Sequence, residues 1–134
     1  MKRIINILLL AIGILGFSMA MPVGTIANNE EPKYLTVDSF DKAINTGIIV
    51  VEFVASFAEP FAEWESIEDG EYYRVDIEKY PALKKKYKVR SIPTIIVFSN
   101  GAKELTYRAN IMLELDVTAE EIHEDIEDLF SDKF

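Results

Sequence analysis

One carboxylate stands inside the most apolar stretch of this chain. Glu52 is the single charged residue of the run 48–55, which the continuous apolar pattern predicts to be a buried strand. A buried carboxylate either has a raised pKa, which suits a general acid, or contacts a cationic partner such as Lys. The chain offers no second acid, base or nucleophile at a spacing that indicates catalysis. Glu52 is therefore a candidate buried acid, and we predict no catalytic residue.

The composition excludes several kinds of chemistry. The 134 residues include no cysteine, so thiol–disulfide exchange, thiolate nucleophiles and zinc–thiolate sites are ruled out. No phosphate-binding loop, dinucleotide fingerprint or Ser–His–Asp arrangement occurs, and we expect no cofactor. The formal net charge of −9 argues against a nucleic-acid partner, because phosphates require a basic surface.

Helical and extended patterns alternate along the chain. Thr118 and Glu121 have the spacing of a capping box, and Ser99-Asn100-Gly101 is typical of a hairpin turn. The predicted elements are a strand at 35–37, a helix at 39–45, a strand at 48–55, a helix after Pro60, a strand at 72–77, a helix at 80–87, strands at 95–98 and 104–108, and a last helix. This order favours a three-layer α/β domain with a central mixed sheet, helices on both faces, and a C-terminal hairpin plus helix.

Two segments resemble the thioredoxin family. Phe57-Ala58-Glu59-Pro60-Phe61 follows a buried strand, where the family has Trp-Cys-Gly-Pro-Cys. Tyr87–Thr94, with the apolar strand and Asn-Gly after it, is similar to the family's run ending in Ile-Pro-Thr. The order and spacing of the two segments indicate a thioredoxin-like fold over about residues 34–130. The resemblance implies a cis bond between Ile92 and Pro93, beside the former redox motif.

The departures from the family are as specific as the matches. Ala58 and Phe61 take the places of the two cysteines, so we predict a redox-inactive member. Glu52 takes the place of the family's buried Asp. Only ten residues separate Phe61 from Tyr72, which predicts a shortened helix after the motif.

An apolar surface next to the former motif is the candidate binding site. The resemblance implies that the loops at 91–93 and 108–110 hold extended peptide by main-chain hydrogen bonds, and the segment 111–116 looks like an insertion beside them. The candidate surface comprises Phe57, Phe61, Ile92, Pro93, Ile111 and Met112. The aromatic residues Phe53, Phe57, Phe61 and Trp64 are expected to cluster, either as core in the space of the shortened helix or as walls of a groove.

Acidic side chains are concentrated in two runs, at 59–71 and 120–128. Carboxylates can bind Ca²⁺ loosely, but neither run has EF-hand spacing, and solvated faces explain both. His123 lies among the acids of the second run, and we expect an exposed side chain without a ligand or triad partner. We predict no metal site.

The N-terminal segment has the pattern of a signal peptide over residues 1–20. Lys2 and Arg3 form the basic region, an apolar region follows at 4–17, and Ser18-Met19-Ala20 fits a cleavage site. A linker at 21–33 would then precede a domain at 34–134. We therefore expect a periplasmic or secreted protein that contacts the membrane only if this segment stays uncleaved.

These features together predict an exported, redox-inactive thioredoxin-fold protein that works as a protein- or peptide-binding, scaffold or chaperone-like module. Its expected partner is a protein or peptide, with no nucleic acid and no small-molecule cofactor. Two alternatives remain open at the level of the sequence. One is an acidic protein that binds Ca²⁺ weakly, and the other is an enzyme that uses Glu52.

Overall fold

A five-stranded mixed sheet is the centre of the computed structural model, which describes residues 31–133. The strands are β1 (Lys33–Tyr34), β2 (Ile48–Val54), β3 (Glu71–Asp76), β4 (Thr94–Ser99) and β5 (Ala102–Arg108). Their order across the sheet is β1-β3-β2-β4-β5. β3 is parallel to β1 and β2, whereas β4 is antiparallel to β2 and β5.

Three α-helices cover the two faces of this sheet. They are α1 (Val37–Ile44), α2 (Pro81–Lys86) and α3 (Ala119–Lys133). Buried side chains of α1 and α2 belong to one hydrophobic cluster, and those of α3 belong to a second. The predicted three-layer arrangement with a closing hairpin and helix is therefore the observed fold.

Alternation along β2 separates the two hydrophobic clusters. Ile49, Val51 and Phe53 face the cluster under α1 and α2, whereas Val50 faces the cluster under α3. In the first cluster, the ring of Phe40 lies 5.8 Å from that of Phe98 and 6.2 Å from that of Phe53. Deleting such a fully buried aromatic ring typically costs about 3–5 kcal/mol, so this cluster is a main source of stability.

The predicted helix after Pro60 was wrong. The segment 55–70 holds only a 3-10 turn at Trp64–Ser66, and the rest of it is irregular. Ten residues between Phe61 and Tyr72 are too few for a helix and a return to the sheet. Phe61, Ile67 and the partly buried Trp64 instead cover the sheet beside α3.

The ends of the remaining elements follow local hydrogen bonding. Thr36 caps α1 through a capping box with Ser39, and the predicted box of Thr118 and Glu121 at the start of α3 is confirmed by reciprocal 3.1 Å hydrogen bonds. The predicted strand at 35–37 was misplaced, because β1 ends at Tyr34. Asn100 and Gly101 have φ of 50° and 90°, as a tight hairpin turn requires.

The predicted signal peptide at 1–20 and most of the predicted linker at 21–33 lie outside the described residues. Within residues 31–133, no helix is long and apolar enough to cross a membrane.

Candidate functional site

Glu52 is fully buried at the centre of a three-donor network. Arg74 Nε lies 2.9 Å from its Oε1, and the Tyr72 hydroxyl donates to the same oxygen at 2.8 Å. The Phe61 backbone N–H donates to Oε2 at 2.6 Å. Of the two expectations for this acid, the partnered one is observed, and the partner is Arg74. Cross-strand register explains it, because Glu52 and Arg74 are paired on β2 and β3.

The same network holds the segment that replaces the expected helix. Arg74 Nη2 donates to the Phe61 carbonyl at 3.2 Å, so both backbone polar groups of Phe61 form hydrogen bonds with the pair of Glu52 and Arg74. The guanidinium carbon also lies 5.9 Å from the centre of the Trp64 ring, within the range of a cation–π contact. Burial raises the pKa of Tyr72, and the negative charge of Glu52 raises it further, so the Tyr72 hydroxyl keeps its proton and remains a donor. The network therefore stabilises an irregular loop.

This geometry does not suit Glu52 to catalysis. Its side chain has no exposed surface, so a bound substrate cannot contact it, and three donors already occupy its oxygens. A general acid or base must lie within hydrogen-bond reach of the proton that it transfers. The enzyme alternative thus has no support from the arrangement around Glu52.

The former redox motif lies beside this network. Ala58 is partly buried against the first hydrophobic cluster, and Glu59 and Pro60 are exposed. The peptide bond between Ile92 and Pro93 is cis, the geometry that the family resemblance implies. Neither Ala58 nor Phe61 can supply a thiol, so these residues occupy the positions of the family's cysteines but cannot carry out thiol–disulfide exchange.

An open groove of about 870 Å³ lies next to the former motif. It is formed where β2, β3 and β5 end and where β4 begins, the region in which α/β sheets commonly bind ligands. The apolar residues that line it are Phe57, Ile77, Pro81, Ile92, Ala109, Ile111 and Leu113. Two of them are far more exposed than hydrophobic residues usually are, because Phe57 is 61% exposed and Ile111 is 96% exposed.

Asn110 holds the loop that carries Ile111. Its side-chain oxygen accepts from the backbone N–H groups of Met112 and Glu114, at 2.8 and 3.1 Å, and its amide nitrogen donates to Asp116. The Asn110 backbone N–H also donates to the Glu114 carbonyl at 2.9 Å. Asparagine commonly builds such turns by bonding the backbone ahead of it. Ile111 is therefore presented to solvent by a hydrogen-bonded turn.

The structure divides the predicted binding surface. Phe57, Ile92 and Ile111 line the groove, whereas Phe61 is buried in the cluster under α3. Pro93 and Phe61 border a separate hollow of about 160 Å³, which shares only Leu113 with the groove. Met112 is 69% exposed but does not line the groove.

The expected clustering of four aromatic residues was wrong. Phe53 packs in the cluster under α1 and α2, Phe61 and Trp64 belong to the opposite face, and Phe57 is exposed. They separate because Phe53 lies on one face of β2, and the loop carrying Phe61 crosses the other. The core interpretation therefore holds for Phe61, and the groove interpretation holds for Phe57.

Charged residues of the groove were not predicted from the sequence. Lys84 on α2 and Arg90 in the loop before the cis peptide both line it, together with Glu78. Lys84 is the first of three consecutive lysines on α2, and only the fold places it in the same groove as the exposed Ile111. The pairing of Glu52 with Arg74 follows from the register, because Glu52 is the one charged residue of β2 and lies opposite Arg74, the buried charged residue of β3.

His123 is exposed, as expected, but its side chain contacts two carboxylates that the sequence did not indicate. Its Nδ1 lies 2.8 Å from Asp69 Oδ1, and its Nε2 lies 3.2 Å from Glu127 Oε2. The hydrogen bond with Asp69 and the charge of that carboxylate raise the pKa of the exposed imidazole. Across residues 31–133, no group of three or more His, Asp or Glu side chains is arranged to hold a metal ion. The Ca²⁺ alternative therefore gains no supporting site here.

The fold and the position of this site define a thioredoxin-type domain. The family profile described as Thioredoxin matches residues 31–124, and this chain belongs to that family.

Individual relatives agree with this assignment. The chain is 31% identical over 80 residues to a thioredoxin from Chlamydia caviae, a match that covers 52% of this chain and 76% of the relative. It is 33% identical over 76 residues to a thioredoxin from Staphylococcus epidermidis, covering 50% of this chain and 73% of the relative. Both relatives are small thioredoxins of which most of the length is matched.

Solved structures show the same fold. A mutant thioredoxin from Halobacterium salinarum superposes with a TM-score of 0.60 at 20% identity, covering 73% of this chain and 89% of that chain. Mitochondrial thioredoxin 3 from Saccharomyces cerevisiae superposes with a TM-score of 0.56 at 17% identity, covering 72% of this chain and 94% of that chain.

Proposed function

We propose that this cysteine-free thioredoxin-family domain binds an extended segment of another polypeptide in the groove beside the cis peptide. The observation that carries the proposal is the exposure of Phe57 and Ile111, which line the same groove. Contiguous exposed apolar surface is uncommon on soluble domains and often marks a binding site. The domain then works by holding a partner, as a binding or chaperone-like module, without reacting with it.

The geometry favours an extended occupant. The groove is open to solvent, and its lining includes both the turn at 110–113 and the loop before Pro93, so we propose that an extended chain lies between these two segments. The hydrogen bonds of Asn110 hold one wall in place before binding, which lowers the entropic cost of association. Fully burying one Ile side chain contributes about 1.5–3 kcal/mol, so Ile111 alone accounts for a substantial share of a micromolar affinity.

Export is part of the same proposal. The basic residues Lys2 and Arg3, followed by the apolar run 4–17, support delivery of the domain to the periplasm or to the medium. A partner would then be met outside the cytoplasm.

A peptide selection with matched surface variants tests the binding proposal. The protein is used to select from a random dodecapeptide library, and the affinity of the enriched peptides is measured by calorimetry. We expect Ile111→Asp to weaken binding by at least about 30-fold, since an apolar contact is lost and a carboxylate is desolvated. Met112→Asp should change the affinity less than about threefold, because Met112 is exposed on the same turn but does not line the groove.

The free energy of unfolding of both variants should lie within about 0.5 kcal/mol of that of the parent, because each substitution is at an exposed position. Failure to enrich any peptide would overturn the proposed function. Equal losses of affinity in the two variants would show that binding depends on the turn or its charge and not on the groove, and no loss in either variant would show that the peptides bind elsewhere.

A further inference from the structure

We infer that the segment bound in the groove is an acidic apolar one, which carries a carboxylate opposite Lys84 and Arg90. This inference rests on the proposed function and adds the chemistry of the partner. Lys84 and Arg90 both line the groove that Phe57 and Ile111 flank, so one ligand can contact the apolar and the cationic residues together.

In the part of the chain that the structure describes, the two cationic side chains have no ion-pair partner. Both side chains are exposed. The third charged residue of the groove, Glu78, is already engaged, because its Oε1 accepts from the Ser56 backbone N–H at 2.9 Å. Binding of a carboxylate would therefore satisfy two free donors without breaking an existing contact.

The positive charge of this region contrasts with the negative net charge of the chain. Its formal net charge is −9, yet six of its fourteen Lys and Arg residues fall between positions 79 and 90. These six are Lys79, Lys84, Lys85, Lys86, Lys88 and Arg90. A separate surface hollow is acidic and is lined in part by Glu63, Glu65, Glu68 and Glu120. The positive charge is thus concentrated on α2 and the residues next to it in sequence, of which Lys84 and Arg90 line the groove, and a basic segment would be disfavoured there.

Charge reversal at the groove tests the inference. In the selection from the dodecapeptide library, peptides that bind the parent should combine apolar residues with Asp or Glu. Lys84→Glu combined with Arg90→Glu should lower the affinity for these peptides by at least about tenfold. Selection from the same library on that variant should enrich peptides that contain Lys or Arg. The control is Lys85→Glu combined with Lys103→Glu, which changes the net charge equally at residues that do not line the groove.

The outcomes separate this inference from the proposed function. Peptides that lose affinity with Ile111→Asp but carry no acidic preference would overturn the inference and leave the groove as a binding site. Equal losses in the two charge variants would overturn it as well, since only the overall charge would then matter. If sedimentation shows the protein without peptide to be a dimer that the groove variants dissociate, a second copy of this chain is the occupant, and the inference fails.

Discussion

Replacing Arg74 with Met is expected to lower the free energy of unfolding by about 3–5 kcal/mol. The substitution removes the cationic partner of Glu52, whose side chain is fully buried, and leaves the carboxylate with only two neutral donors. It also removes the donor to the Phe61 carbonyl. A buried charge without its partner is costly because the interior cannot replace its hydration.

Urea denaturation of three further variants, Glu52→Gln alone, Glu52→Gln combined with Arg74→Met, and Lys86→Met, distinguishes this cause from lost packing. Glu52→Gln combined with Arg74→Met leaves no charge buried in this network. The double variant should therefore lose clearly less free energy of unfolding than the sum of the losses in the two single variants. Lys86→Met removes an exposed ion pair of 3.5 Å to Asp41 and should change stability by less than about 1 kcal/mol. Strict additivity of the Glu52 and Arg74 variants would contradict a coupled network.

Introducing two cysteines, by Ala58→Cys and Phe61→Cys, is expected to leave the protein inactive in insulin disulfide reduction. Reactive thiolates in Cys-X-X-Cys motifs depend on a lowered thiol pKa, to which a helix N-terminus contributes. Here no α-helix follows the motif, position 61 is buried, and its N–H already donates to the Glu52 carboxylate. Burial of position 61 should raise the pKa of a thiol there and disfavour the thiolate, since the nearby cation, Arg74, is already paired with Glu52.

The matched control is Ala58→Ser combined with Phe61→Ser, which makes nearly the same change in volume without thiols. Both double variants should reduce insulin at the rate of a reaction without protein, in an assay where an ordinary thioredoxin serves as the positive standard. Activity of the cysteine variant close to that standard would show that the site retains a redox-competent geometry, against this account.

Most of the fold was predictable from the sequence because its signals are local. The apolar run 48–54, the Asn100-Gly101 turn and the Thr118 capping box each specify their own element. The resemblance of two separated motifs then indicated the thioredoxin-like fold that the elements form. The ten residues between Phe61 and Tyr72 indicated a shortened helix after Pro60, but its complete absence could not be predicted, since the loop also depends on the buried pair of Glu52 and Arg74.

The candidate site was predictable only in part, for a physical reason. Ile111 was identified as an exposed apolar residue next to the former motif, and the structure places it in the groove. The burial of Phe61 and the exclusion of Met112 depend on which way a loop turns, and periodic patterns carry no information on loops. The contribution of Lys84 and Arg90 depends on how α2 lies against the groove, which only the assembled fold defines.

The most direct test of the account is amide chemical-shift mapping of the isotope-labelled protein with a peptide selected from the dodecapeptide library. The account predicts that the largest shifts arise at Phe57, Arg90, Ile92, Ile111 and Leu113, on the walls of the groove. They should disappear in Ile111→Asp and persist in Met112→Asp. Shifts centred instead on the acidic hollow around Glu65, Glu120 and His123 would contradict the account, because binding would then occur on a different surface.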